Sequence, residues 1–152
     1  MAKYYYKDSN APKPNQPLRI GVIAIIKKEN HFLLEQRTDC KKWGFIGGSL
    51  GINETVEESI IREIKEETGL NLNNLDFFDF VDEPSIRNVY PDGNIVRPII
   101  FIYKIELEEF DNVQKSNESL AIKFVHKSDL TKLDIVEMHI PVVEKILKFF
   151  HS

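Results

Sequence analysis

Residues 18–27 place the strongest constraint on what this chain can fold into. Ile20, Val22, Ala24 and Ile26 form one apolar alternation, and Gly21, Ile23 and Ile25 form a second interleaved with it. Consecutive strand side chains point to opposite sides, so a segment apolar in both sets reads as a strand buried on both faces. A chain of 152 residues can cover such a strand, because a single domain of about 150 residues buries about 68–70% of its unfolded surface. No disulfide framework or cysteine-rich zinc cluster is available to help, since Cys40 is the only cysteine, a usage that suits a reducing compartment. No apolar run approaches the roughly 18 residues of a membrane span. Residues 1–17 are polar and aromatic rather than a signal peptide's apolar region. A soluble, cytoplasmic protein is the expectation.

Residues 1–17, with Tyr4, Tyr5, Tyr6 and prolines at 12, 14 and 17, have neither a helical nor a strand period. They read as an arm, disordered or packed on a domain of residues 18–152. Glu29-Asn30 marks a turn before a second strand over residues 31–37. A polar loop over 38–42 leads to a short extended segment, 43–46, that ends at Gly47-Gly48. The period then becomes helical: Val56, Ile60, Ile61 and Ile64 share a face, Thr55 and Glu58 form a capping box, and Gly69 stands at the stop. This predicts a helix over residues 56–68. Residues 75–81 and 95–106 read as strands with Tyr90-Pro91-Asp92-Gly93 as the turn signal between them, 111–117 as a polar loop and 120–125 as a last strand. Pro141 suits the first turn of a closing helix with Val142, Val143, Ile146, Leu147 and Phe150 on its apolar face. The order gives an α+β pattern, helices packed on a mixed sheet.

Charge is distributed unevenly. The chain has 20 basic and 24 acidic residues, and residues 48–70 hold six acids (Glu54, Glu57, Glu58, Glu63, Glu66, Glu67) against Arg62 and Lys65. The whole net charge of −4 therefore sits in one stretch, which suits a cation site better than a general affinity for nucleic acid. On a helix, Glu63, Glu66 and Glu67 stand at i, i+3 and i+4 and repel one another, with Arg62, one turn from both Glu58 and Glu66, as the main local compensation. Hard oxygen ligands without histidine select magnesium or manganese over zinc. Taken alone, three glutamates read as a solvated acidic face. A glycine before the helix lets backbone approach a ligand, a glycine stop follows it, and the fixed spacings agree with one known pattern, which together point instead to a ligand site.

The spacing in residues 48–70 resembles the Nudix box, G-x5-E-x7-R-E-U-x-E-E-x-G-U with U aliphatic, at every defined position: Gly48, Glu54, Arg62, Glu63, Ile64, Glu66, Glu67, Gly69 and Leu70. Leu33-Leu34-Glu35-Gln36-Arg37 and Trp43-Gly44-Phe45-Ile46-Gly47 resemble the family's approach to the box. The likeness runs from about Leu18 to Phe150. It implies the Nudix fold, an α/β/α sandwich on a mixed β-sheet, and a MutT-type, metal-dependent pyrophosphohydrolase. Its substrate would be a small nucleoside diphosphate-linked compound, such as a nucleoside triphosphate or ADP-ribose. In such a reaction water attacks phosphorus in line while charge builds on the bridging oxygen, so metal ions and a positioned base carry most of the catalysis.

By position in the resembled motif, the Gly47 carbonyl, Glu66 and Glu67 are expected metal ligands for Mg2+ or Mn2+. Glu63 is the candidate base, also counted with the metal set, and Arg62 orients the carboxylates. Glu118 matches a further family glutamate or is an exposed loop acid. Arg37 matches an arginine that meets substrate phosphate or is a strand-end arginine. Tyr90, Phe45 and Trp43 are candidates to stack on a base, or else core and rim aromatics. His139 stands where MutT-type enzymes that cleanse oxidised guanine nucleotides place an Asn, which argues against that specificity. Pro84, fourteen residues past Leu70, lies just short of the proline position of the family's ADP-ribose enzymes and selects no substrate. Ile46, Gly51 and Asn53 also depart from frequent family residues, at undefined positions. His31, His126 and His151 read as surface residues. Two other functions remain beside the hydrolase: a nucleotide-sensing module without turnover, and an enzyme of the RNA 5′ end, for which no basic stripe provides. The sequence sets no oligomeric state.

Overall fold

In chain order the elements are strands β1 (Lys3–Tyr5), β2 (Arg19–Lys28), β3 (His31–Arg37) and β4 (Trp43–Ser49), helix α1 (Val56–Thr68), strands β5 (Asp76–Val81), β6 (Arg87–Val89), β7 (Ile95–Val96), β8 (Pro98–Glu106) and β9 (Ser119–His126), and helix α2 (Ile140–Phe149). Two 3-10 segments, Lys127–Lys132 and Glu137–His139, lead into α2. The computed structural model describes residues 1–110 and 112–150.

Six strands form a mixed sheet in the order β5-β8-β2-β4-β3-β9. β2 runs parallel to β8 from Arg19 opposite Pro98 to Lys27 opposite Glu106, and the other neighbours are antiparallel. The two apolar sets of β2 divide as its alternation requires. Val22, Ala24 and Ile26 pack with Ile60 and Ile64 of α1 on one face, and Ile23 and Ile25 pack with Val142, Val143 and Ile146 of α2 on the other. Each such side chain fully removed from water contributes about 1.5–3 kcal/mol. The result is an α/β/α sandwich on a mixed sheet, as the family resemblance implies.

Several local readings change. β4 continues through Gly47-Gly48 to Ser49, held in register with β2 by Gly21 opposite Ser49 and Ala24 opposite Ile46. The strand read over 95–106 breaks at Arg97 into β7 and β8. The Tyr90–Gly93 turn joins β6 to β7, and these two with β1 make a second, three-stranded sheet. The N-terminal arm is packed: β1 pairs with β6, Arg87 Nε donates to Pro12 O, and Asn15 exchanges hydrogen bonds with Ile95. His31 is half-buried rather than a surface residue, edge-on to Phe110 and His126, while His126 is exposed. His151 lies outside the described residues.

Candidate active site

Helix α1 has well-defined ends. Thr55 accepts from the Glu58 N–H, Glu58 accepts from the Thr55 N–H, and Gly69 closes the helix in a left-handed conformation at φ +77°. With both ends set, the carboxylates of α1 meet the β4 backbone at fixed places. Glu67 is 6% exposed and its Oε2 accepts from the Gly47 N–H at 3.1 Å. The Glu63 carboxylate fills the space above Gly48, where a Cβ would collide with it.

Arg62 holds the acidic segment together. Its Nε and Nη2 fork onto Glu54 at 2.6 and 2.9 Å, and Nη1 bonds Glu63 at 2.8 Å and Glu66 at 3.2 Å. Glu58, occupied in the capping box, is not the partner that its spacing from Arg62 suggests. Nη1 thus lies between the Glu63 and Glu66 carboxylates, and Glu66, with its side chain 58% exposed, stays outside the cavity described below. Among the described residues no three acidic or imidazole side chains converge on a point as a metal would require. Ligation by Glu66 requires its carboxylate to exchange Arg62 for the cation.

A cavity of about 480 Å³ opens beside these groups. Glu35, Glu63, Glu67 and Glu118 line its acidic end. Glu35, buried on β3 and bonded by Ser119 Oγ at 2.6 Å, was not singled out from the sequence. The signal was an acid inside a strand whose neighbours Phe32, Leu33 and Leu34 are all core. Glu118 is exposed, and its backbone carbonyl accepts from both the N–H and the hydroxyl of Thr38. Burial raises the pKa of Glu67, and the charges of Glu35 and Glu63 push it further the same way. Burial likewise raises those of Glu63 and Glu35 against the lowering effect of Arg62 and Ser119 respectively. The Glu63 and Glu67 carboxyls influence each other's protonation. Hard carboxylate oxygens whose charge is costly without a counterion have the donor chemistry that suits a divalent Mg2+ or Mn2+.

The rest of the cavity wall carries Arg19, Arg37 and Asp39 beside uncharged side chains. His139 belongs to this wall, is 3% exposed, and accepts from the Phe45 N–H through Nδ1 at 3.0 Å. Burial, followed by the charge of Arg37, pushes its pKa down to about 3. The neutral ring with Nδ1 accepting carries its proton on Nε2. Phe45 itself is 1% exposed and packs in the core, so its ring offers no face to a base, correcting that expectation. Trp43 lies under Lys123 and does not line the cavity. Tyr90 does, with the Arg19 guanidinium over its ring at 5.3 Å, and so do Asn88, Met138 and Arg37.

Residues 16–146 match the family model described as NUDIX domain. The chain belongs to the NUDIX domain family. Among NUDIX relatives, it is 30% identical over 98 residues to the 8-oxo-dGTP diphosphatase of Proteus vulgaris, covering 60% of this chain and 83% of that protein. It is 36% identical over 59 residues to the NAD-capped RNA hydrolase NudC of Vibrio vulnificus, covering 38% of this chain and 23% of the relative. The NUDIX match thus spans about a quarter of that protein's length. The fold superposes on the MutT protein of Methanosarcina mazei with a TM-score of 0.70 at 21% identity, covering 92% of this chain and 100% of that one.

Proposed function

We propose that this NUDIX protein is a metal-dependent pyrophosphohydrolase of a small nucleoside diphosphate-linked compound. One observation carries the reading: a single cavity joins the carboxylates Glu35, Glu63 and Glu67, of which Glu35 and Glu67 are buried, to a wall that carries His139, Asn88 and Tyr90 with Arg19 and Arg37. The carboxylates suit a diphosphate with its cation, and the wall suits a base or sugar and its anionic groups.

In this reading Glu63 and Glu67, with Glu35, Glu118 and the Gly47 carbonyl around them, would hold Mg2+ or Mn2+, and Glu66 would join them on release from Arg62. When bound, the cation neutralises charge on the phosphoryl oxygens. Glu63 is the candidate base; burial raises its pKa and with it the carboxylate's affinity for a proton. Arg62, tied down by Glu54, aims the Glu63 carboxylate. Arg19 and Arg37 are the cations lining the cavity and would meet the substrate's anionic groups. Neutral His139 would donate from Nε2 to an acceptor on the substrate. The names of the relatives differ in substrate, so the choice among a nucleoside triphosphate, ADP-ribose and a nucleotide-capped RNA end belongs to experiment.

That experiment measures phosphate or mononucleotide release from nucleoside triphosphates, ADP-ribose, other nucleotide sugars and dinucleoside polyphosphates, with Mg2+ or Mn2+, beside Glu67→Gln. Metal-dependent turnover that collapses in the variant is expected. Nucleotide binding without turnover across the panel would favour a sensing module instead.

A further inference from the structure

Residues 1–15 lie outside the stretch matched by the family model, yet they help to build a wall of the cavity. Pairing of β1 with β6 sets Tyr4 opposite Asn88, and Asn88 lines the cavity. Tyr4 is buried, and its hydroxyl donates to Asp39 Oδ2 at 2.6 Å and accepts from Arg37 Nη2 at 3.0 Å. Arg37 in turn forks onto Asp39, Nε to Oδ1 at 3.0 Å and Nη2 to Oδ2 at 2.8 Å, with its guanidinium over the Tyr4 ring at 5.5 Å. Burial raises the pKa of the Tyr4 hydroxyl, so it remains a proton donor. Two nitrogens of Arg37 are thereby committed, and among the described residues Nη1 has no hydrogen-bond partner.

We propose that Tyr4 is a positioning residue of the substrate site. With Asp39 it fixes the Arg37 guanidinium so that Nη1 is left for an anionic group of the bound substrate. The N-terminal strand is thus a functional part of the site rather than an appendage. A mobile arginine loses rotamer freedom each time it grips an anion, whereas one fixed beforehand does not. Asp39 alone fixes two nitrogens, and the Tyr4 hydroxyl adds a contact from a separate strand, which makes the placement of Arg37 depend on the docked arm. Because Arg37 is bonded to Asp39 and Tyr4 and to neither Glu63 nor Glu67, the contact binds ground state and transition state alike and acts on KM rather than kcat. The inference rests on the hydrolase reading above for its substrate.

Tyr4→Phe keeps the ring and its packing and removes only the hydroxyl. With the best substrate of the panel, KM rises about five- to tenfold while kcat stays within about twofold. Asp39→Asn shifts KM in the same direction. In an Arg37→Lys background, Tyr4→Phe adds less than about twofold, because the two act through one group. An unchanged KM in Tyr4→Phe, or effects of Tyr4→Phe and Arg37→Lys that multiply independently, would overturn the assignment and leave the hydrolase reading intact. If the wild type turns over nothing on the panel, the hydrolase reading fails. Equilibrium binding of AMP and inorganic pyrophosphate then decides the role of Tyr4. Weaker binding by Tyr4→Phe supports it, and equal binding, or none by either protein, overturns it.

Discussion

At Glu67, burial and two neighbouring carboxylates act in one direction, and two consequences follow. A carboxyl whose folded pKa is raised contributes stability below its unfolded pKa, about 4.5, and that contribution is lost as pH rises toward the folded value. Glu67→Gln removes this dependence, so in EDTA the variant melts above the wild type at pH 8 while its hydrolysis falls by about 100- to 10,000-fold. Thermal melts beside steady-state rates check both halves; a variant that melts lower at pH 8, or that keeps its rate, contradicts the account. His139 works with the opposite sign. Its folded pKa is depressed to about 3 from 6.5, so the stability it supports is present above pH 6.5 and is lost as pH falls toward 3. His139→Ala leaves the buried Phe45 N–H unpaired and costs about 1–3 kcal/mol, read by urea unfolding at pH 7, and it flattens the acid limb of the pH–stability curve.

The legibility of the elements followed their length and the chemistry of their ends. Helix α1 could be read from Thr55 to Gly69 because its caps and its apolar period agree. Thr55→Ala is expected to cost about 1 kcal/mol of stability while leaving the substrate preference unchanged, measured by unfolding and by relative rates over the substrate panel. Strand β2 was legible for a similar reason: its two apolar sets state which faces are covered. Strands β1 and β6 were not, since runs of three residues hold no period. Glycine concealed the end of β4. Gly47 and Gly48 resemble a loop in sequence, yet they extend the strand and make room for Glu63. Gly48→Ala is therefore expected to displace the Glu63 carboxylate and lower kcat by at least about tenfold, with β4 still paired as reported by amide exchange. Glu35 went unnoticed because side-chain alternation tells which residues are buried but not which strand-borne acid meets a helix-borne one.

At the scale of the molecule, the sheet places the two halves of the site. β2 and β4 at its centre bring Gly47 and Gly48 under α1, while the crossing from β9 through the 3-10 segments to α2 delivers His139 to the wall of the same cavity, against Gly44 and Phe45 of β4. The acidic half is unfavourable for the fold without a counterion, so folding, cation binding and pH are linked. Saturating Mg2+ or Mn2+ is expected to stabilise the protein by about 2.7 kcal/mol at a hundredfold excess over Kd. Because bound protons must leave before the cation enters, Kd falls as pH rises from 6 to 8. The measurement that tests this most directly is a Mn2+ titration followed by electron paramagnetic resonance, with wild type, Glu63→Gln and Glu67→Gln at pH 6 and 8. The account expects wild-type binding that tightens toward pH 8 and is weakened at least about tenfold in each variant. Binding of equal strength in all three proteins, or none in the wild type at pH 8, would contradict it.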